Sequence, residues 1–164
     1  MSCEYEAKPL IRNGIAVGID VGIERFATFS DGAIIDNPRF FKNEERALAK
    51  AQQKLSKAEK GTIDRTKRKK VVAKIHQRIR SRRNNFCHQE SRKIIDKYQF
   101  ICVEELNIQK MVQGSHLAKS ITDVSWNQFC QFLSYKAEEA GRKLGLVNPA
   151  YTTQTCSQCK HVEP

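Results

Sequence analysis

Three stretches of this sequence carry residue types that could do chemistry: Asp20 at the end of IAVGID, Glu104 at the end of FICVE, and Cys156 and Cys159 in CSQC. Carboxylates that converge can hold divalent ions, and phosphodiester hydrolysis needs such convergence, because two ions about 3.5 to 4 Å apart activate water and stabilise the leaving oxygen. A carboxylate after a strand also serves as a turn residue or a helix cap, so position alone leaves both roles open. Two thiolates separated by two residues can occupy adjacent corners of a zinc tetrahedron, which makes the cysteine pair half of a zinc site; two free surface thiols are the alternative. His161 could add one ligand. A redox role is disfavoured, since the motif does not follow a strand and open a helix. His76, His88 and His116 lie apart in helix-surface or loop positions, and neither a P-loop nor a Gly-rich dinucleotide motif is present.

The elements that must position these residues are legible in the pattern. Ile15, Val17 and Ile19 alternate with small residues and predict a strand over 15–20 that delivers Asp20 to a turn. A second strand is expected over 25–30 and a third over 33–36, joined by Asp31-Gly32, a strong hairpin signal; Asn37-Pro38 ends the run. Asn43 reads as the N-cap of a first helix with Leu48, Ala51, Leu55 and Ala58 on its apolar stripe, closed by Gly61. A second helix is expected from about Asp64 to Tyr98, with Val72, Ile75, Ile79, Phe86 and Ile94 as its stripe. Narrow stripes predict an antiparallel helical hairpin with a coiled-coil-like seam and a basic outer face over 42–98. FICVE has the composition of a short buried strand emerging at Glu104. Ser125 and Gln128 fit a capping box for a helix running to about Leu144, ended by Gly145, with Leu146-Val147 as a last strand. Mixed α/β packing follows.

With 164 residues, the chain has the length of one ordinary domain. Its 40% apolar and 29% charged content suits a soluble globular protein. No apolar run approaches the roughly 18 residues of a membrane span, and the start lacks the order of a secretory signal, so a cytoplasmic location is the default expectation. The scattered Cys3, Cys87, Cys102 and Cys130 read as small core or surface residues. The formal charge is +11, and residues 42–97 hold 19 basic against 6 acidic residues, a net of +13, which leaves −2 for the rest. Such a segment suits a polyanion, although a solvated basic helix face would look the same. Lys67, Arg68, Lys69 and Lys70 oppose the dipole at the start of their helix, and a nearby phosphate backbone would stabilise them there.

Four stretches taken in order, GIDVGIERFATFSDG (18–32), VEELNIQKM (103–111), SITDVSWNQFCQFLSYKAEEAG (120–141) and NPAYTTQTCSQC (148–159), resemble the RuvC-like nuclease region of TnpB (OrfB) proteins, relatives of the type V CRISPR effectors. The resemblance implies an RNase H-like fold in a single domain over 1–164, in which a triad of acids binds Mg2+ and cleaves DNA chosen by a guide RNA. It matches Asp20 to the first acid and Glu104 to the second, and Cys156 and Cys159 to the first half of a zinc knuckle, over 150–164. It also sets the helical hairpin near a nucleic-acid duplex, with Arg65, Lys67, Arg68, Lys69, Lys70, Lys74, Arg78, Arg80, Arg82 and Arg83 as phosphate contacts. The family's third acid follows a second cysteine pair, and this sequence stops before either, as it also lacks the region that grips the guide. The expectation is therefore a truncated copy of a transposon-encoded RNA-guided endonuclease core, its own turnover left open. The alternatives are a catalytically inactive nucleic-acid-binding module and a coiled-coil adaptor. DNA and guide RNA are the expected partners, Mg2+ and Zn2+ the expected ions, and no membrane is expected; the oligomeric state is not legible.

Overall fold

A computed structural model describes residues 9–104 and 125–147. Its elements are β1 (Ala16–Val21), β2 (Arg25–Phe29), β3 (Ile34–Asp36), α1 (Phe40–Ser56), α2 (Ile63–Lys97), β4 (Phe100–Glu104), α3 (Trp126–Glu139) and β5 (Lys143–Val147). The strands form one mixed sheet in the order β3-β2-β1-β4-β5. β1, β2 and β3 pair antiparallel, and β1, β4 and β5 pair parallel. At the first hairpin, Gly32 takes φ +85° and Asp31 Oδ1 accepts from the Ala33 amide, the conformation for which Asp-Gly was read as a turn.

One face of the sheet is covered. Val17, Ile19, Val21, Ile101 and Val103 point from β1 and β4 into a core shared with Cys87, Ile94 and Ile95 of α2 and Trp126, Phe129 and Leu133 of α3. Phe26 sits edge-on to Phe86 and Phe129, with ring centroids 4.8 and 4.9 Å away, and so joins the β2 strand to both helices. Lys136 is buried between the helices, where its ammonium donates to His88 O at 2.7 Å and Ser91 Oγ at 2.8 Å; burial lowers its pKa. Arg142, also buried, ties the sheet to both α2 and the N-terminal segment through Ile95 O and Ile11 O.

A second, smaller core lies between the helices. Leu48 of α1 meets Ile75 and Ile79 of α2, flanked by Phe40, Phe41, Ala51 and Val72. The helices run antiparallel: Glu44 near the start of α1 pairs with Arg78 and Arg82, while Leu55 and Ala58 near its end accept hydrogen bonds from Arg65.

Several boundaries differ from expectation. The N-cap of α1 falls four residues earlier, at Arg39 in the left-handed region (φ 47°), and Asn43 caps nothing; its side-chain amide donates to Pro38 O instead. Ser125 takes the left-handed φ of 58° in place of the extended backbone of an N-cap and makes no side-chain cap, and the Gln128 side-chain amide donates 44 residues away to Asn84 Oδ1 at 2.9 Å. α3 ends at Glu139 and turns at Gly141 (φ +66°), so Gly145 is a residue of β5 and not a helix stop. α2 begins as expected, one residue early, with Thr62 Oγ1 accepting from the Arg65 amide.

Candidate active site and nucleic-acid interface

Period-two alternation decides which residues reach the uncovered face of the sheet. Because Val17, Ile19 and Val21 point into the core, Ala16, Gly18 and Asp20 point away from it; on β4 the same holds for Phe100, Cys102 and Glu104. The parallel register pairs Ala16 with Phe100, Gly18 with Cys102 and Ile19 with Val103, and one further step brings Asp20 beside Glu104. Adjacent strands lie roughly 4.8 Å apart, so two carboxylates in one row on one face can share a cation. Both stand at the carboxyl ends of parallel strands, where open α/β sheets bind ligands. Asp20 is exposed and Glu104 half-buried, and among the described residues neither carboxylate has a hydrogen-bond or ion-pair partner.

The row next to the acids is made of small residues, and the one beyond it is bulkier. Gly18, Cys102 and Gly145 form one row and Ala16, Phe100 and Lys143 the next, and with Ser30 they line an open trough of about 600 Å³. The acid pair thus sits at the end of a shallow, uncrowded surface. Two carboxylates suit a hard cation such as Mg2+, which keeps several waters and needs only one or two protein carboxylates. No group of three His, Cys, Asp or Glu side chains converges among the described residues. Cys156 and Cys159 lie outside the described residues. Burial pushes the Cys87 thiol up to about 11 and raises Cys130 as well, so neither is a thiolate available to metal or electrophile at neutral pH.

The basic residues fall into distinct environments. Arg65 is half-buried, its guanidinium bonded to Leu55 O (3.1 Å) and Ala58 O (2.8 Å), where it closes the end of α1. Arg68 pairs with Asp64, and Arg78 and Arg82 flank the buried Glu44. Arg83 lines a cleft of about 400 Å³ with Phe41, His76, Arg80 and Gln128. Lys67, Lys69, Lys70, Lys74 and Arg80 are exposed and, among the described residues, have no acidic partner. The sequence reading missed Glu44 as the internal counter-ion of the helix pair. Its signal was present, since Glu44 falls four residues before Leu48 on the same stripe.

The helix pair is rooted beside the acids. α2 runs into β4 and packs against it, and β4 spans roughly 13 Å, a length that about nine helical residues match. Residues of α2 before about His88 therefore extend past the level of Glu104, and α1 with the first two-thirds of α2 projects beyond the sheet edge that carries the carboxylates. Among the described residues no helix is long and apolar enough to cross a membrane.

Residues 1–114 match the family OrfB_IS605, described as "Probable transposase", and residues 126–163 match "Cas12f1-like, TNB domain". A "Putative RNA-guided DNA endonuclease" of Streptomyces pristinaespiralis is 33% identical over 96% of this chain and 39% of its own length. The "CRISPR-associated endodeoxyribonuclease Cas12f1" of Sulfoacidibacillus thermotolerans is 31% identical over 81% of this chain and 32% of its own. This chain thus spans about two fifths or less of the curated relatives it matches. In fold it is similar to a chain of the "Cryo-EM structure of the Cas12f1-sgRNA-target DNA complex", with a TM-score of 0.61 at 17% identity, over 95% of this chain and 41% of that one. A family match across 114 of 164 residues establishes the lineage: this chain belongs to the TnpB/OrfB family of transposon-associated proteins, whose members include named RNA-guided DNA endonucleases.

Proposed function

We propose that this chain is the RuvC-like, RNase H-like nuclease core of an RNA-guided DNA endonuclease, with Asp20 and Glu104 as two of its catalytic acids. The observation that carries the reading is the parallel β1–β4 register up to Ile19 and Val103, whose next step would set Asp20 beside Glu104 on the open face. Mg2+ held between them would supply Lewis-acid activation of a phosphodiester. The chain's own part is positional. Strand pairing sets both carboxylates on a rigid floor, so little reorganisation is needed when a phosphate arrives, and the small Gly18, Cys102 and Gly145 row beside them leaves space next to the acids. DNA and guide RNA are the partners this reading requires. Lys67, Lys69, Lys70, Lys74 and Arg80 would hold phosphates without reading bases, with Arg68, Arg78, Arg82 and Arg83 adding to the field. In the same reading Cys156 and Cys159 hold one side of a structural zinc ion, to be checked as zinc content of the purified chain and its loss in Cys156→Ser.

The test is Mg2+-dependent nicking of plasmid DNA by the chain and by Asp20→Ala and Glu104→Ala. Each variant should lose about a hundredfold or more, the equivalent of several kcal/mol of transition-state stabilisation. Equal rates in all three proteins would sink the proposed site. A second reading, binding without turnover, draws on the finding that only two acids meet among the described residues. It expects tight, Mg2+-independent DNA binding with no nicking by any of the three.

A further inference from the structure

Asp20 has few neighbours that could hold its carboxylate in place. Along the chain, the residues two positions away on either side are Gly18 and Gly22, which carry no side chain. On the β4 side the next parallel step would set Glu104, a second carboxylate that repels the first until a cation lies between them. None of these three directions supplies a hydrogen-bond donor from a side chain.

The fourth direction does. β2 runs antiparallel to β1, and its register sets Thr28 directly opposite Asp20. Ala27 and Phe29, on either side of Thr28, are buried in the core, so Thr28 faces the open side together with Asp20. It is half-buried, and beyond it the row ends at the apolar Ile34 of β3. Opposed residues of an antiparallel pair hold their Cβ atoms roughly 5 Å apart. A hydroxyl and a carboxylate leaning together across that gap reach the roughly 2.7 Å of an O–H···O bond. Nothing competes for the bond, because among the described residues neither side chain has a hydrogen-bond or ion-pair partner. The hydroxyl one row back is already engaged, since Ser30 Oγ accepts from the Gly18 amide at 3.0 Å. A cation shared with Glu104 takes the Asp20 oxygen turned toward β4 and leaves the other turned toward β2. Ligating carboxylates are steadied by outer hydrogen bonds of this kind, and loss of one lowers metal affinity roughly 10- to 100-fold.

Resting on the assignment of Asp20 and Glu104 above, we infer that Thr28 is a positioning residue: its hydroxyl donates to the Asp20 oxygen turned away from the shared cation and holds the carboxylate in the orientation the ion needs. The test measures binding of Mn2+ to the full chain by electron paramagnetic resonance, with Mn2+ as an oxygen-seeking octahedral stand-in for Mg2+. Nucleic acid is left out, so that a contact from Thr28 to phosphate cannot contribute. Thr28→Val keeps the shape and the strand preference but removes the hydroxyl, and Thr28→Ser keeps the hydroxyl. Thr28→Val should weaken Mn2+ binding about tenfold and Thr28→Ser less than about threefold, while Asp20→Ala abolishes it. Thermal melting checks that all three variants stay folded. A Thr28→Val chain that binds Mn2+ as the parent does, beside an Asp20→Ala chain that has lost it, overturns the role of Thr28 and leaves the acid site standing. Equal weakening by Thr28→Val and Thr28→Ser also overturns it, since packing and not the hydroxyl would then matter. A parent chain that binds no Mn2+, or an Asp20→Ala chain that binds it unchanged, removes the acid site and this role with it.

Discussion

Where α2 packs on the sheet, its cations are answered locally: Lys93 by Glu90, Arg92 by Asp96, and Lys97 by Asp31. Where it projects beyond the sheet, Lys67, Lys69, Lys70, Lys74 and Arg80 have no acidic partner among the described residues, and neither do five cations of the facing helix segment from Lys42 to Lys57. Exposed ion pairs contribute little to stability, so the contrast concerns the electric field more than folding energy. The sheet end is close to neutral at its surface, and the arm concentrates positive potential where a polyanion can reach it. The two regions also have separate apolar cores, one around Phe129 and one around Leu48.

That contrast can be broken from either side. The largest effect is expected from Phe129→Ala, which empties the centre of the sheet core and should cost about 3–5 kcal/mol in urea unfolding. Leu48→Ala should cost about 2–4 kcal/mol, but only in the arm: hydrogen exchange should speed in α1 and the first half of α2 and stay slow in β1 and β4. Uniform acceleration would mean that the arm is not a separate unit. Thr62→Ala removes the α2 cap and should cost about 1 kcal/mol, again read as faster exchange in the first turns of α2. Glu44→Gln sharpens the contrast, since it frees Arg78 and Arg82; the slope of log affinity for duplex DNA against log salt should steepen by about 1, and a shallower slope would contradict the field argument.

The smallest effect is a pH dependence at the neutral end. Asp31 accepts from Tyr98 at 2.6 Å and from Lys97 at 2.9 Å, and these bonds hold its carboxyl at about 2, below its ordinary 3.8. A depressed folded-state value favours folding while the group is ionised, so the stabilisation is complete above about pH 4 and is lost as pH falls to about 2. The melting temperatures of the chain and of Asp31→Asn should differ at pH 5 and converge toward pH 2; a gap that widens in acid would reverse the assignment.

Much of this was legible in the amino acids. Alternation located β1 and composition located β4, each ending near its carboxylate, because burial on one side of a sheet leaves a period of two in the chain and buried strands favour β-branched and aromatic residues. What the pattern could not carry was contact between distant residues. Asn43 has the type of an N-cap, yet Asn37 Oδ1 takes the Arg39 amide and starts the helix earlier. Ser125 and Gln128 match a capping box by type and spacing, but Asn84 competes for the glutamine from another helix. Arg65 reads as one more cation in a basic run, and only the return of the chain past the end of α1 turns it into a cap. The strand pairing that brings together Asp20 and Glu104, 84 positions apart, was an inference from resemblance and not from periodicity.

α2 belongs to both regions, and across its 35 residues it contains neither glycine nor proline. Sharp bends in helices need such residues or a bulge, so the helix behaves as a stiff bar roughly 52 Å long, clamped at one end between the sheet and α3. A load placed on the free tip cannot be absorbed by flexing at a joint. It arrives as torque on the clamp at Phe86, Ser91 and Ile95, beneath the strands that carry the acids, so leverage couples whatever the tip grasps to the floor on which Asp20 and Glu104 stand.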